Sequence, residues 1–248
     1  MNTSIELSAY SSTELLITVI ARLLHGCRHV AVGQASPIPG AGALLAREQS
    51  NRALRVSVLN SARNSAFTNG GVELFDLAAQ GRLDAFFLGG GQIDGQGNIN
   101  LVGTGTYPQV DVRWPGSFGS AYLYYLIPRV ILFREEHTRR VFVPRVDFIS
   151  APGCTDASVY RRGGPYALLT RLALFRFSQT SQRFSLESVH AGHTLEEVRD
   201  NTGFEFECAP SVTVTPAPEP ATLALIRKTI RLEIAEVYPR FAAGLAVG

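Results

Sequence analysis

Four of the polar side chains that close the stretch "FFLGGGQIDGQGNINL", residues 86–101, could serve a site: Gln92, Asp94, Asn98 and Asn100. Amides and a carboxylate gathered at one end of an apolar strand are groups that orient a substrate or a water by hydrogen bonding. Gly89, Gly90 and Gly91 just before them carry no side chain to keep backbone amides from a ligand. The same residues also read as a tight turn, because Asp94-Gly95 and Gly97-Asn98 are strong turn formers. Residue chemistry alone leaves these two readings even.

Other constellations carry less. His190 and His193 in "VHAGHT" have a spacing that could serve a metal, but no H-E-x-x-H motif frames them, and a turn or cap role is favoured. His25 and His29 flank a helix end, and His137 lies in a charged turn. Cys154 in "APGCTD" follows Pro-Gly, yet no neighbour identifies the base or helix start that would lower its pKa. "GGGQID" and "GTGTYP" both lack the third glycine of a dinucleotide fingerprint, and no GxxxxGK[ST] loop or G-x-S-x-G elbow occurs. No metal site and no permanently bound cofactor are expected.

The elements around the candidate residues alternate. "SSTELLITVIARLLHG" predicts an amphipathic helix with Ser11 and Glu14 at capping-box spacing and Gly26 closing it. "HVAVG" predicts a strand, and "QASPIPGAGALLAREQS" a Pro/Gly loop opening a helix from about Ala41. "LRVSVLN" and "LDAFFLGGG" predict buried strands with the helix "GVELFDLAAQGR" between them. Apolar strands joined by helices indicate a mainly parallel sheet covered on both faces. Beyond residue 101, "YLIPRVILF" and "RRVFVPRVDFIS" read as strands, as do "YALLTRLALFRF" and "RFSLESVHAG" around a polar turn. "HTLEEVRDNTGF" predicts a short helix capped near His193 or Thr194. "APSVTVTPAPEP" reads as an extended arm, and Pro220 starts a last helix. The chain is expected to be one domain over 1–248, with an α/β half (13–101), a strand-rich half (102–208) and a proline-rich arm with a helix (209–248).

With 248 residues, of which 46% are hydrophobic and 18% charged, the chain can build a large core. A net charge of +2, with Lys228 the sole lysine among dispersed arginines, argues against a nucleic-acid partner. No apolar run reaches the roughly 18 residues a membrane span requires, and "MNTSIELSAY" lacks a signal-peptide pattern, so a cytoplasmic protein is expected. Three scattered cysteines indicate neither disulfides nor zinc.

Five segments together resemble the β subunits of family I coenzyme A transferases, the glutaconate type in particular. They are "GGGQIDGQGNINL", "VRWPGSFGSA", "RRVFVPRVDFISAPG", "TLEEVRDNTGFEFE" and "PEPATLALIRKTI", in family order. The resemblance implies a CoA-transferase-like α/β fold with a β-rich C-terminal half. It also implies an α-subunit partner in a heterodimer or α2β2 assembly, a site between the two chains, and a coenzyme A thioester as substrate. Gly116, Ser117, Phe118 and Gly119 fall on the family's glycine loop, with Phe118 interrupting the usual glycine pair; it either narrows the pocket or is a core aromatic. In true transferases a glutamate after the second strand attacks the thioester. Here that position falls on Leu59, or on Asn60 with a one-residue slip, and neither is a carboxylate. Glu73 is the candidate acid within the chain, although a residue in the first turn of a helix also complements its dipole. The resemblance then extends to relatives with altered sites, such as ring-opening hydrolases of steroid-derived CoA thioesters and acyl-CoA decarboxylases. Ring-opening C–C hydrolysis of a cyclic acyl-CoA is the favoured expectation. A transferase with its nucleophile from Glu73 or the partner comes second, and a non-catalytic scaffold third.

Overall fold

The computed structural model describes residues 10–245, which divide into two compact units: one formed by residues up to Ala66 together with those from Pro216, the other by Phe67–Thr215. The N-terminal stretch read for a signal peptide lies almost wholly outside the described residues.

The first unit opens with α1 (Ser12–Leu23), whose start is fixed by the predicted capping box: Ser11 Oγ accepts from the Glu14 amide, and Glu14 accepts from the Ser11 amide. The Glu14 carboxylate also pairs with Arg227 at 2.7 Å. Strand β1 (His29–Val32), helix α2 (Pro37–Gln49) and strand β2 (Arg55–Val58) follow, with β1 and β2 parallel in the register His29↔Arg55 to Val32↔Val58. Helix α2 starts at Pro37 rather than Ala41. Proline costs nothing in a first turn whose N–H groups have no intrahelical acceptor, so Pro37 and Pro39 are helical. Gly42 lets α2 sit directly on Ile20 of α1, where a Cβ would come within 2.4 Å of the isoleucine side chain.

In the second unit, helix α3 (Gly70–Ala79) leads to strand β3 (Ala85–Leu88). Two small hairpins follow, β4 (Gln92–Ile93) with β5 (Ile99–Asn100), and β6 (Gly103–Thr104) with β7 (Val112–Arg113). Helix α4 (Ser120–Leu126) absorbs Tyr125 and Leu126, expected to start a strand, and β8 (Arg129–Arg134) begins only after Pro128. Then come β9 (Pro165–Thr170), β10 (Ala173–Ser178), β11 (Arg183–Val189), helix α5 (Leu195–Asn201) with Thr194 as its cap, and β12 (Glu207–Val214). The sheet order here is β12-β11-β10-β9-β8-β3. Strands β3, β8 and β9 are parallel, β9 to β11 form an antiparallel meander, and β12 runs parallel to β11.

Three expectations are corrected in this unit. "YALLTRLALFRF" is two strands: Thr170 Oγ1 accepts from the Leu172 and Ala173 amides and turns the chain. "RRVFVPRVDFIS" forms no strand. It wraps the β4–β5 hairpin through single bridges, Ile93↔Phe142 and Ile99↔Ala151, and Val141, Phe142 and Val146 are buried without a ladder. Part of the expected arm is the edge strand β12. Back in the first unit, Pro220 opens α6 (Pro220–Leu225), which continues through a π-helical turn (Ile226–Ile230) into α7 (Arg231–Ile234), with α8 (Pro239–Gly244) beyond. No helix among the described residues is long and apolar enough to cross a membrane.

His137 is flanked by charged residues in sequence, but its ring is buried, bonded to Thr170 Oγ1 at 2.8 Å and Thr202 Oγ1 at 2.9 Å. His190 is buried too, between Thr215 Oγ1 at 2.8 Å and the Thr170 carbonyl at 3.0 Å. Burial lowers both pKa values from 6.5 to about 4, despite the Glu197 carboxylate near His137. Between those values the unfolded chain takes up protons that the folded chain refuses, so stability is full above pH 6.5 and falls as the pH drops toward 4. The expected loss is on the order of 3 kcal/mol for each ring. Urea unfolding at pH 7 and pH 4.5 checks this, and equal stabilities would show that the rings titrate alike in both states.

Candidate active site

The hairpin that carries the polar cluster is held by its own side chains. Gln92 and Asn100 face each other across β4 and β5, and Asn100 Nδ2 donates to Gln92 Oε1 at 2.7 Å. Asp147 completes the clasp: its amide donates to Gln92 Oε1 at 3.0 Å, and its carboxylate accepts from Gln92 Nε2 at 3.0 Å and the Gly105 amide at 2.9 Å. Asn100 Oδ1 takes the Val102 amide at 2.9 Å. At the tip, the buried Asp94 carboxylate accepts from the amides of Gln96 and Asn98 and from Asn98 Nδ2, each at 3.1 Å, and from the Val146 amide at 3.4 Å. Asn98 Oδ1 accepts from the Gly153 amide at 3.0 Å. These four side chains therefore spend their polar groups inside the loop, shaping the surface beside it.

The glycines have an internal use as well. A Cβ on Gly91 would come within 2.3 Å of the Trp114 indole, and one on Gly90 within 2.7 Å of the Gln92 carbonyl oxygen. Gly89 lies closest to the Phe133 carbonyl. Their small size serves close packing within the chain. Beside the tip opens a cleft of about 510 Å³, lined by Asp94, Asn98, Arg145, Arg183, Phe204 and Glu205 among others. Its volume is in the range of small-molecule sites. Arg145 and Arg183 make no ion pair among the described residues, and only Glu205 balances them with a carboxylate not already bound into the loop.

In the glycine loop, Gly116 has φ +105° and Phe118 has φ +44°. Phe118 is 89% exposed and leans on Phe75, ring centroids 5.5 Å apart. A core aromatic it is not. Ser117 closes the turn into α4 by accepting from the Ser120 amide, and at Gly119 a Cβ would meet the Phe75 ring at 2.1 Å. The Glu73 carboxylate is engaged by the Thr68 amide at 2.6 Å, the Thr68 hydroxyl at 3.1 Å and the Asn69 amide at 3.3 Å, the residues leading into its own helix. Burial pushes the Cys154 thiol up, with Arg161 opposing. His193, just before the cap of α5, pairs with Glu197 at 2.9 Å while His190 bonds elsewhere, so the histidines do not converge, and the described residues hold no cluster of metal-ligating type.

Within the first unit, the carboxyl ends of β1 and β2 lie side by side, the place where open α/β sheets hold ligands. Leu59, half-buried, pairs its amide with the Val32 carbonyl at 3.0 Å. The next residue, Asn60, turns left-handed at φ +69° and is exposed. Asparagine tolerates that conformation better than most side chains, yet it still stores strain, which concentrates at functional positions. Asn60 Oδ1 accepts from Gln34 Nε2 at 3.2 Å, leaving Asn60 Nδ2 without a partner among the described residues. Gln34 leads into another left-handed turn, at Ala35 with φ +52°. Sequence reasoning passed over Gln34, although its place just beyond "HVAVG" was the available signal.

A parallel sheet whose strand ends present polar side chains is where α/β folds place their ligands. Residues 11–201 match the coenzyme A transferase family, and the chain belongs to it. It is 33% identical over 153 residues to a 3-oxoadipate CoA-transferase subunit of Pseudomonas knackmussii, covering 59% of this chain and 58% of that one. A glutaconate CoA-transferase subunit of Acidaminococcus fermentans is 30% identical over 151 residues (58% and 56%). The cholesterol ring-cleaving hydrolase IpdB subunit of Rhodococcus jostii is 31% identical over 162 residues (64% and 63%). The matches thus span less than two thirds of the relatives' lengths. The crystal structure of Rhodococcus jostii RHA1 IpdAB superposes with a TM-score of 0.80 at 26% identity, over 89% of this chain and 94% of that one.

Proposed function

We propose that this chain is the β subunit of a heteromeric enzyme that binds an acyl-CoA thioester and opens a ring in its acyl group by C–C hydrolysis, with an α-subunit-like partner completing the site. The observation that carries the reading is the Leu59–Asn60 turn: an apolar residue and a neutral amide stand where the family's resemblance implies a nucleophilic carboxylate. In such a ring opening, water adds to a ring ketone β to the thioester and loses its proton to a base. The bond to the α-carbon breaks, and its electron pair passes onto the thioester carbonyl as an enolate. The α-carbon then takes up a proton, leaving a carboxylate and an intact thioester. Asn60 Nδ2 would donate to the oxygen where charge develops or hold the attacking water, and a base would come from the partner. Leu59 offers an apolar wall to an alicyclic group. Within the second unit, the cleft beside Asp94 and Asn98, with Arg145 and Arg183, would suit the phosphates of coenzyme A.

The similarity to two transferase subunits favours a second reading, a genuine acyl-CoA:carboxylate transferase. The test uses the chain co-expressed with its α-subunit candidate. Cyclic and acyclic acyl-CoAs are supplied, borohydride is added, and intact masses are measured with 18O-water in parallel. We expect turnover of a cyclic acyl-CoA with one water oxygen in the product and no adduct on either chain. A trapped adduct on the partner or on Glu73 would replace the hydrolase with the transferase. Absence of any acyl-CoA binding would leave a scaffold.

A further inference from the structure

The segment joining α7 to α8 sets two side chains on the two turns that carry Gln34 and Asn60. Glu236 accepts from the Ser61 hydroxyl at 2.6 Å and from the Ala62 amide at 2.7 Å. Ser61 Oγ also accepts from the Asn64 amide at 2.8 Å, and the Asn64 carbonyl closes the loop on the Val58 amide at 2.7 Å. On the neighbouring turn, the Ser36 amide donates to Tyr238 Oη at 3.2 Å. Arg47 braces the arrangement from α2, with Nη1 on Asn64 Oδ1 at 2.8 Å and its guanidinium paired with Glu233. One short segment thus holds both strained strand ends.

We propose that Glu236 and Tyr238 are positioning residues that clamp the Ser61–Asn64 and Ser36 turns and so fix the Gln34–Asn60 amide pair. A rival role for Glu236 is the carboxylate that the strand end itself lacks, acting as a base beside Asn60. Its surroundings argue against that. The Ser61 hydroxyl, joined by the amides of Ala62 and Arg63 and by the Arg63 charge, outweighs the opposing desolvation and holds its carboxyl below the usual range. A carboxylate with both oxygens already accepting bonds is a poor proton acceptor, whereas two amides and a hydroxyl gathered on one carboxylate pin a loop.

The consequence for turnover rests on the proposed function; the clamp itself does not. Glu236→Gln, Tyr238→Phe and Ser61→Ala would be made in the full chain, alone and in the complex with the α subunit. Circular dichroism would establish folding. Hydrogen exchange should accelerate on the order of tenfold at residues 61–64 in Glu236→Gln and Ser61→Ala, and at Ser36 in Tyr238→Phe, with the remainder of the unit unchanged. In the complex, kcat should fall about tenfold at near-constant KM, with the shape of the pH profile kept. Wild-type exchange in these folded variants would overturn the clamp. Wild-type exchange with kcat abolished and the acidic limb of the profile lost in Glu236→Gln would make Glu236 the base instead. A wild-type complex inert toward every acyl-CoA would sink the proposed function, while the exchange data would still decide the clamp.

Discussion

Replacing Asp94 by alanine is expected to cost on the order of 4 kcal/mol of stability, a large fraction of a typical domain's margin. The carboxylate is buried and accepts from four donors: the amides of Gln96, Asn98 and Val146, and Asn98 Nδ2. Alanine leaves the donors of buried Asn98 and Val146 without acceptors, at about 1–3 kcal/mol for each group that water cannot reach. Only the amide of exposed Gln96 recovers a partner from solvent. For a chain of this size the melting temperature should fall by roughly 8–16 °C. Gln96→Ala, at the exposed tip of the same turn, should stay within about 0.5 kcal/mol. Thermal unfolding of both variants checks the contrast. An Asp94→Ala protein that melts like wild type but no longer binds coenzyme A would mean that this carboxylate meets the ligand rather than the loop.

Removing the Asn60 side chain is expected to produce the largest loss of activity, about a hundredfold in kcat with KM changed little. Glycine is the right replacement. It accepts φ +69° without strain, whereas alanine would mix the loss of the amide with about 1 kcal/mol of backbone cost. Asn60→Gly therefore isolates the Nδ2 donor. Gln34→Ala should have a smaller effect, because Gln34 orients Asn60 through a single exposed bond of 3.2 Å. Steady-state kinetics of the complex decide the matter. A kcat for Asn60→Gly within twofold of wild type would remove Asn60 from the reaction and shift attention to the partner.

These expectations draw on two kinds of information in the chain. Groups three to five residues apart could be read directly, since helix and turn geometry brings them together regardless of what else folds. The Ser11–Glu14 capping box, the Asp94–Asn98 turn and the first-turn proline at 220 stand as sequence spacing implied. The glycine-rich segments and their order were likewise sufficient to indicate the family, because each needs particular small residues at particular places.

Other features were beyond local reading. The apolar alternation of residues 139–150 looked like a strand, but such alternation records only which side is buried, and here the burying surface is a hairpin some fifty residues earlier. The site itself was half legible. Gln92, Asp94, Asn98 and Asn100 could be picked out, but not whether their polar groups would face a ligand or one another. That turned on Asp147 and Val146, which only the folded chain brings to them. Likewise Leu59 and Asn60 could be counted from Gly42, yet the left-handed turn at Asn60 and the bonds of Glu236 to Ser61 and Ala62 beside it appear only when a segment far along the chain packs there. The sequence by itself determined the family and the short-range caps and turns. Tertiary structure alone decided which polar groups were consumed and which, like Asn60 Nδ2, have no partner among the described residues, because hydrogen-bond partners distant in sequence exist only once packing has brought them together.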